Sequence, residues 1–344
     1  MVKIRTAIFG AGFGRYGHFA ALKRLSQFEV VSVCGSQFQT DDKIKSYSSA
    51  DWLQAFHENP VDLAVIAVPP EKQTPLLLEA MKRGLAVMVE KPLCLTESEY
   101  LQISNQYNAS KNISAASFIF PELETWKKAK TMLQEEILGK IRTVYFDWKI
   151  ESQAIKNKMK NWKSSGANGG SALFHFLPHL LQGVQFFFGD VKKLSCVSLP
   201  AADLGPEMGF PICSVQMKLT DDLLISINCT LAAPFGSGQS IEMNGSKGSL
   251  ILENKGSDYV RRFKLKVQTA ELEKEFFEIE LNPYLTADLD SRTAPLTAIY
   301  LRLAKALAGG DQVSPGLIEA LHTQRLILQC QQSHELEKWI TVKV

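Results

Sequence analysis

The sequence predicts two parts: an N-terminal α/β domain with a doubly wound parallel sheet over residues 1–120, then an α+β domain over 121–344 on a mainly antiparallel sheet. Three observations predict this. Short apolar strand-like runs alternate with helical runs through the first third. Strand-like runs then succeed one another at hairpin spacing, without helices between them. A chain of 344 residues also exceeds what one hydrophobic core usually serves.

In the first part, Lys3–Phe9 reads as a buried strand and Tyr16–Leu25 as a helix. Glu29–Cys34 is a second apolar, β-branched strand, Ser49–His57 a helix and Asp62–Val68 a strand. The helical run Thr74–Arg83 stops at Gly84, a residue suited to the left-handed position after a helix. Ala86–Glu90 and Ile113–Phe118 complete the strands, and Thr96 caps a helix over Glu97–Ala109.

The pattern then changes. Leu123–Glu136 reads as a helix, Ile141–Ile150 as a strand, Glu151–Gly170 as a long polar loop and Ala172–Phe188 as a helix. Strands are expected at Ile212–Leu219, Leu223–Leu231, Ser249–Glu253, Phe263–Thr269 and Phe276–Leu281. Helices near Leu296–Leu307 and Leu317–His334 precede a last strand, Trp339–Val344.

Composition narrows the function classes. An apolar fraction of 45% with 22% charged residues is ordinary for a globular protein. A net charge of +2 argues against nucleic-acid binding through bulk positive charge, yet leaves room for a small anionic ligand. Six scattered cysteines without a CxxC pair argue against a zinc ribbon and fit a reducing, cytoplasmic setting. The opening MVKIRTAIFGAGFG does not resemble a signal peptide. The most apolar stretch, Ala172–Phe188, carries two histidines, a proline and glutamine, so it reads as a buried helix and not as a membrane span.

Three segments carry chemistry. The first strand runs into Gly10-Ala11-Gly12-Phe13-Gly14-Arg15-Tyr16-Gly17. A glycine turn between strand and helix lets backbone N–H groups approach a pyrophosphate, with the positive end of the helix behind them. Counted from Gly10, where the strand ends, the third glycine position holds Arg15, which then faces the phosphates or the adenosine ribose. Counted from Gly12, the triplet Gly12, Gly14, Gly17 is complete but starts two residues late. A tight turn without a ligand is the plainer alternative. The second strand ends in Cys34-Gly35-Ser36-Gln37, with no acid before Asp41. A carboxylate there would bind the ribose 2′-hydroxyl and repel a 2′-phosphate, so its absence favours NADP ahead of NAD, with Ser36, Arg15 or Lys43 toward the phosphate.

The second segment is Glu90-Lys91-Pro92, at a strand end where ligand crevices of open parallel sheets lie. Lys91 is placed to take a proton from an alcohol, provided its pKa drops from about 10 to about 7–8. The plainer reading is a surface lysine before a turn proline. The third segment is Gly169-Gly170 followed by His175-Phe176-Leu177-Pro178-His179, two histidines on one helix face. Catalysis, metal ligation and core burial all remain open for the pair. Metal ligation lacks the glutamate of HExxH and a third ligand. Pro178 suggests a kink or a late helix start.

In this order, these segments resemble the glucose–fructose oxidoreductase/inositol dehydrogenase/rhizopine catabolism (Gfo/Idh/MocA) family. The resemblance rests on the glycine loop with His18, Ala67-Val68-Pro69-Pro70, Glu90-Lys91-Pro92-Leu93, Leu138-Gly139-Lys140-Ile141, Trp162-Lys163, and Gly169-Gly170 with His179. It implies a Rossmann domain, a second domain on an open sheet that serves homodimer or homotetramer formation, and hydride transfer between NAD(P) and a sugar-like alcohol or ketone. Lys91 would bind substrate and assist proton transfer. His179 would be the acid/base, with His175 as a substrate contact. Gly10, Gly12, Phe13, Gly14, Arg15, Ser36, Pro69, Glu90, Lys91, Trp162 and Lys163 would line the cofactor. No metal is implied.

The chain departs from the family where His175 stands for an aspartate, Leu177 for a glycine and Gln73 for a histidine. A more apolar substrate site follows, with Phe174, Phe176 and Leu177 nearby. Two alternatives remain: a reductase of a larger conjugated molecule, similar to the biliverdin reductases, and a cofactor-binding regulator without catalysis.

Overall fold

The computed structural model describes residues 3–35, 43–159, 161–166, 169–205, 208–219, 223–282, 285 and 290–343. The chain forms two compact units, Met1–Ile119 with Thr286–Leu321, and Phe120–Leu285 with His322–Val344.

In the first unit, β1 (Ile4–Phe9) leads through a π-helical turn (Gly14–Phe19) to the short α1 (Ala20–Leu22). Then come β2 (Phe28–Cys34), β3 (Lys45–Tyr47), α2 (Trp52–His57) and β4 (Leu63–Ile66). α3 (Gln73–Lys82), β5 (Ala86–Val89), α4 (Glu97–Ser110) and β6 (Ser114–Ala116) follow. All strand pairs are parallel, in the order β3-β2-β1-β4-β5-β6. β4 and β5 are apolar at every position because every residue of each is buried, as in a sheet covered on both faces. Thr96 and Glu99 form a reciprocal capping box at the start of α4. The three-residue edge strand β3 had no counterpart in the sequence reading, being too short to show a period.

The second unit begins with α5 (Glu124–Gln134), β7 (Ile141–Lys149), α6 (Gln153–Lys156), α7 (Ala172–His175) and α8 (Leu177–Phe188). It continues with β8 (Val191–Leu199), β9 (Ile212–Leu219), β10 (Leu224–Thr230), β11 (Gly238–Gly245) and β12 (Gly248–Asn254). β13 (Lys264–Thr269), β14 (Glu273–Phe277) and α9 (Glu278–Leu281) follow. α10 (Thr293–Leu307) belongs to the first unit, where it packs against α1 and β6. The boundary expected at residue 120 places this segment in the second domain, whereas by its packing it completes the first. α11 (Leu317–Leu336) and β15 (Ile340–Thr341) end the chain.

The second sheet has the order β14-β13-β12-β11-β7-β10-β9-β8-β15 and is antiparallel except for the β7–β10 pair. One face is apolar, with Val144, Phe146, Trp148, Val215, Met217, Ile225, Ile227, Ile241 and Met243 buried. Gly183 brings α8 close to β7: a Cβ there would stand 3.1 Å from the Phe146 ring. On the other face, Ser214 donates to Asn228 (3.0 Å) and Asn228 to Asp147 (3.1 Å).

Three expectations are corrected here. β8 and β11 were not anticipated, because Lys192 and Lys193 interrupt the apolar pattern of one and polar residues fill the outer face of the other. The expected loop 151–170 contains α6. The expected strand Phe276–Leu281 stops at Phe277, and Glu278 opens a helical turn instead.

That turn has a purpose in packing. α5 has no side-chain cap of its own, and the buried Glu278 carboxylate supplies one. It accepts from Glu124 N (3.2 Å), Thr125 N (2.9 Å), Thr125 Oγ1 (2.8 Å) and Asn282 Nδ2 (3.0 Å). An anion at a helix N-terminus also meets the positive end of the helix dipole. Glu278→Ala leaves these buried donors without an acceptor and should lower stability by about 2–4 kcal/mol, read from urea unfolding midpoints. A loss under about 0.5 kcal/mol would contradict the capping role.

Candidate active site

In the first unit, three connections leave the carboxyl edge of the sheet side by side. After β1, Gly10 N donates to Cys34 O (2.8 Å); after β4, Ala67 N donates to Phe9 O (2.8 Å); after β5, Glu90 N donates to Ile66 O (3.0 Å). The ladder therefore sets Gly10, Ala67 and Glu90 at successive strand ends, across the point where strand order reverses between β1 and β4.

Gly10 has φ +118°, and a Cβ would meet Ala67 O at 2.2 Å. Turn and neighbouring strand both require glycine. Gly12 is exposed, and among the described residues a Cβ on it would meet nothing within 4 Å. The close approach of helix to strand falls on Gly14, whose Cβ would lie 3.2 Å from Ile8 Cγ2 and 3.5 Å from Ala67 Cβ. Gly14 thus does the packing usually given to the third glycine, so Arg15 can occupy that position with its side chain exposed. Gly17 makes room for the Phe13 ring, 2.4 Å from where its Cβ would be. Phe13 is half-buried, and the Arg292 guanidinium lies 4.6 Å from its ring centre, held by Asp290 through two hydrogen bonds.

Pro69 is half-buried and precedes a 3₁₀ turn, Pro70–Lys72, that leads into α3. Gln73 is buried and donates to Pro92 O at 2.5 Å, so it holds the Glu90-Lys91-Pro92 turn directly. Lys91 is half-buried in that turn. Glu90 keeps 14% side-chain exposure and receives His18 Nε2 at 2.9 Å. Burial pushes its carboxyl upward, but hydrogen bonds from His18 and Ser117 and the charge of Lys91 outweigh that, leaving it below the ordinary 4.5. Its contribution to stability is therefore complete above pH 4.5 and is lost as pH falls through the lower folded value. Urea midpoints should fall more steeply with acid in the wild type than in Glu90→Gln; equal slopes would contradict this. Ser36 lies outside the described residues.

In the second unit, Trp162 and Lys163 are half-buried in a turn closed by Asn161 Oδ1, which accepts from Lys163 N (3.0 Å). Gly170 lets this turn close, since a Cβ there would stand 2.5 Å from Ser165 N. The Trp162 and His175 rings are 5.5 Å apart. His175 and His179 do not share one uninterrupted helix, which corrects the expectation: His175 ends α7, Phe176 (φ −110°) breaks the run, and His179 sits in the first turn of α8 with Pro178. Pro178 has no N–H to continue the earlier helix, so a new start is the low-energy solution.

Both histidines are half-buried among aromatic rings. His175 is 4.4 Å from Phe176, and His179 is 5.0 Å from Phe120 and 6.0 Å from Trp148. Phe120, Trp148 and Tyr259 were not singled out from sequence; on alternating strands and turns they look like core residues.

The family models agree with this geometry. Residues 4–117 match the oxidoreductase family's NAD-binding Rossmann fold, and residues 130–342 match its C-terminal alpha/beta domain. The chain belongs to the Gfo/Idh/MocA oxidoreductase family. Among relatives of this Gfo/Idh/MocA protein, an uncharacterised oxidoreductase of Synechocystis sp. is 24% identical over 98% of this chain and 96% of its own. The fold is shared with a levoglucosan dehydrogenase solved in complex with NADH (18% identity, 99% of this chain and 100% of that one, TM-score 0.83). It is shared too with an oxidoreductase from Agrobacterium radiobacter in complex with NAD+, L-tartaric acid and magnesium (15% identity, 99% of each chain, TM-score 0.81).

The first unit of this Gfo/Idh/MocA oxidoreductase fits a dinucleotide by its own geometry. Gly12 offers exposed backbone, with no atom of the described residues where a side chain would project, and the amides of the first helical turn follow it. Among the described residues, no helix is long and apolar enough to cross a membrane.

Proposed function

We propose that this protein transfers hydride between a nicotinamide dinucleotide, NADP ahead of NAD, and a secondary alcohol or ketone of sugar-like character. The observation that carries the reading is the convergence of Gly10–Gly14, Ala67–Pro70 and Glu90–Pro92 at one sheet edge, with Lys91 next to an ionised Glu90. The dinucleotide, when bound, supplies the hydride acceptor or donor. Gly10, Gly12, Phe13, Gly14 and Arg15 receive its pyrophosphate side, while Pro69 and Glu90 border its nicotinamide side. Lys91 takes or returns the hydroxyl proton. On the second unit, His179 is the proposed acid/base, His175 a substrate contact, and Trp162 and Lys163 cofactor contacts.

The preference for NADP is supported by the sequence after β2, where no carboxylate precedes Asp41 to repel a 2′-phosphate. The rings of Phe120, Trp148 and Phe176 around the histidines favour a substrate less polar than a free hexose. The polar face of the second sheet is proposed as the contact between copies in a homodimer or homotetramer, and the six free thiols suit the cytoplasm.

The test is direct. Purified protein is titrated with NADPH and NADH, then incubated with a panel of sugars, cyclitols and ketones while nicotinamide absorbance is followed. Turnover with at least one carbonyl supports the reading. Absence of affinity for either nucleotide would sink it, and tight binding without turnover of any candidate would point to a regulator.

A further inference from the structure

His18 sits at a buried junction of the first unit. It is 0% exposed, and both ring nitrogens have partners: Nδ1 lies 2.7 Å from the Tyr300 hydroxyl and Nε2 lies 2.9 Å from Glu90 Oε1. Three elements meet there: the turn behind the glycine loop, the end of β5 and helix α10. His18 and Tyr300 are 282 positions apart in sequence. The Phe13 ring, 5.3 Å from the imidazole, closes another side.

The chemistry of the partners orders the hydrogens. An ionised carboxylate only accepts, so Nε2 carries the hydrogen that meets Glu90. A neutral ring then offers Nδ1 as acceptor, and the Tyr300 O–H donates to it. Tyr300 is 0% exposed; burial and the Glu90 charge hold its phenol well above the ordinary value, so it keeps that hydrogen. His18 is fully buried, so a ring nitrogen that lost this donor would be shielded from bulk water.

We infer that Tyr300 is a positioning residue for the cofactor site: its hydroxyl donates to His18 Nδ1 and, by holding that ring, fixes the Glu90 carboxylate beside Lys91. This rests on the proposal that Glu90 borders the nicotinamide cofactor. It extends the site to a helix far outside the glycine motif. The Tyr300 hydroxyl touches neither cofactor nor substrate, and acts only through the imidazole.

The experiment compares wild type, Tyr300→Phe and Phe28→Leu. Phe28 packs its ring 5.5 Å from that of Tyr300 and leaves the hydroxyl chain intact, so it reports structural loss alone. Long-range proton–nitrogen spectra of the histidine rings give the tautomer, and fluorescence titration with NADPH and NADH gives affinity. Wild type should show His18 with hydrogen on Nε2. Tyr300→Phe should keep hydrogen on Nε2, shift the Nδ1 resonance that loses its donor, and weaken the better nucleotide about tenfold, with native circular dichroism. Phe28→Leu should lower the melting temperature while affinity stays within about twofold of wild type.

Tyr300→Phe binding as wild type does, or Phe28→Leu weakening affinity as much as Tyr300→Phe, would overturn the inference and leave the cofactor reading standing. Wild type binding neither nucleotide would overturn both.

Discussion

Lys91→Ala is expected to reduce kcat by about 10²–10⁴-fold while leaving nucleotide affinity nearly unchanged. The lysine is the cation held in the strand-end turn by Gln73, which grips Pro92 O, and it stands next to Glu90, which His18 anchors. Removing its amine takes away the proposed proton carrier without disturbing Gly10–Gly14. The loss should appear in kcat more than in KM for the nucleotide, because the proposed interaction acts on the reacting hydroxyl and not on the pyrophosphate. Lys91→Ala retaining more than half of wild-type turnover would remove Lys91 from the mechanism. Lys91→Arg keeps the charge but cannot release its proton near neutral pH, so it should behave like the alanine variant.

The second large effect separates two glycines two positions apart in the same loop. Gly10→Ala should cost about 3–5 kcal/mol, because alanine is strained at φ +118° and its Cβ would stand 2.2 Å from Ala67 O. That variant should melt far below wild type, whatever ligand is present. Gly12→Ala should fold within about 1 kcal/mol of wild type, since its Cβ meets no atom of the described residues within 4 Å. Its nucleotide affinity should nevertheless fall about 10–100-fold, because the methyl group would stand where the pyrophosphate approaches the backbone. Thermal melts with and without NADPH distinguish the two. Normal stability together with normal affinity in Gly12→Ala would mean that the loop does not hold a dinucleotide.

What the sequence alone determined was local. The strand run ending at Gly10, the continuous apolar runs of β4 and β5, the Thr96 cap and the strand-end position of Glu90-Lys91-Pro92 could all be read, because periodicity and turn chemistry act within a few residues. Pro178 likewise announced a break, although not that His175 and His179 would fall on two helices. Tertiary structure decided the partners. Nothing near Glu278 shows that it caps α5, nothing near Gln73 shows that it holds Pro92, and nothing near Tyr300 shows that it meets His18. A hydrogen bond between residues 282 positions apart depends on how a late helix docks on an early loop, and burial then makes that bond obligatory. Neither segment carries the pairing by itself; only the folded unit brings donor and acceptor into reach.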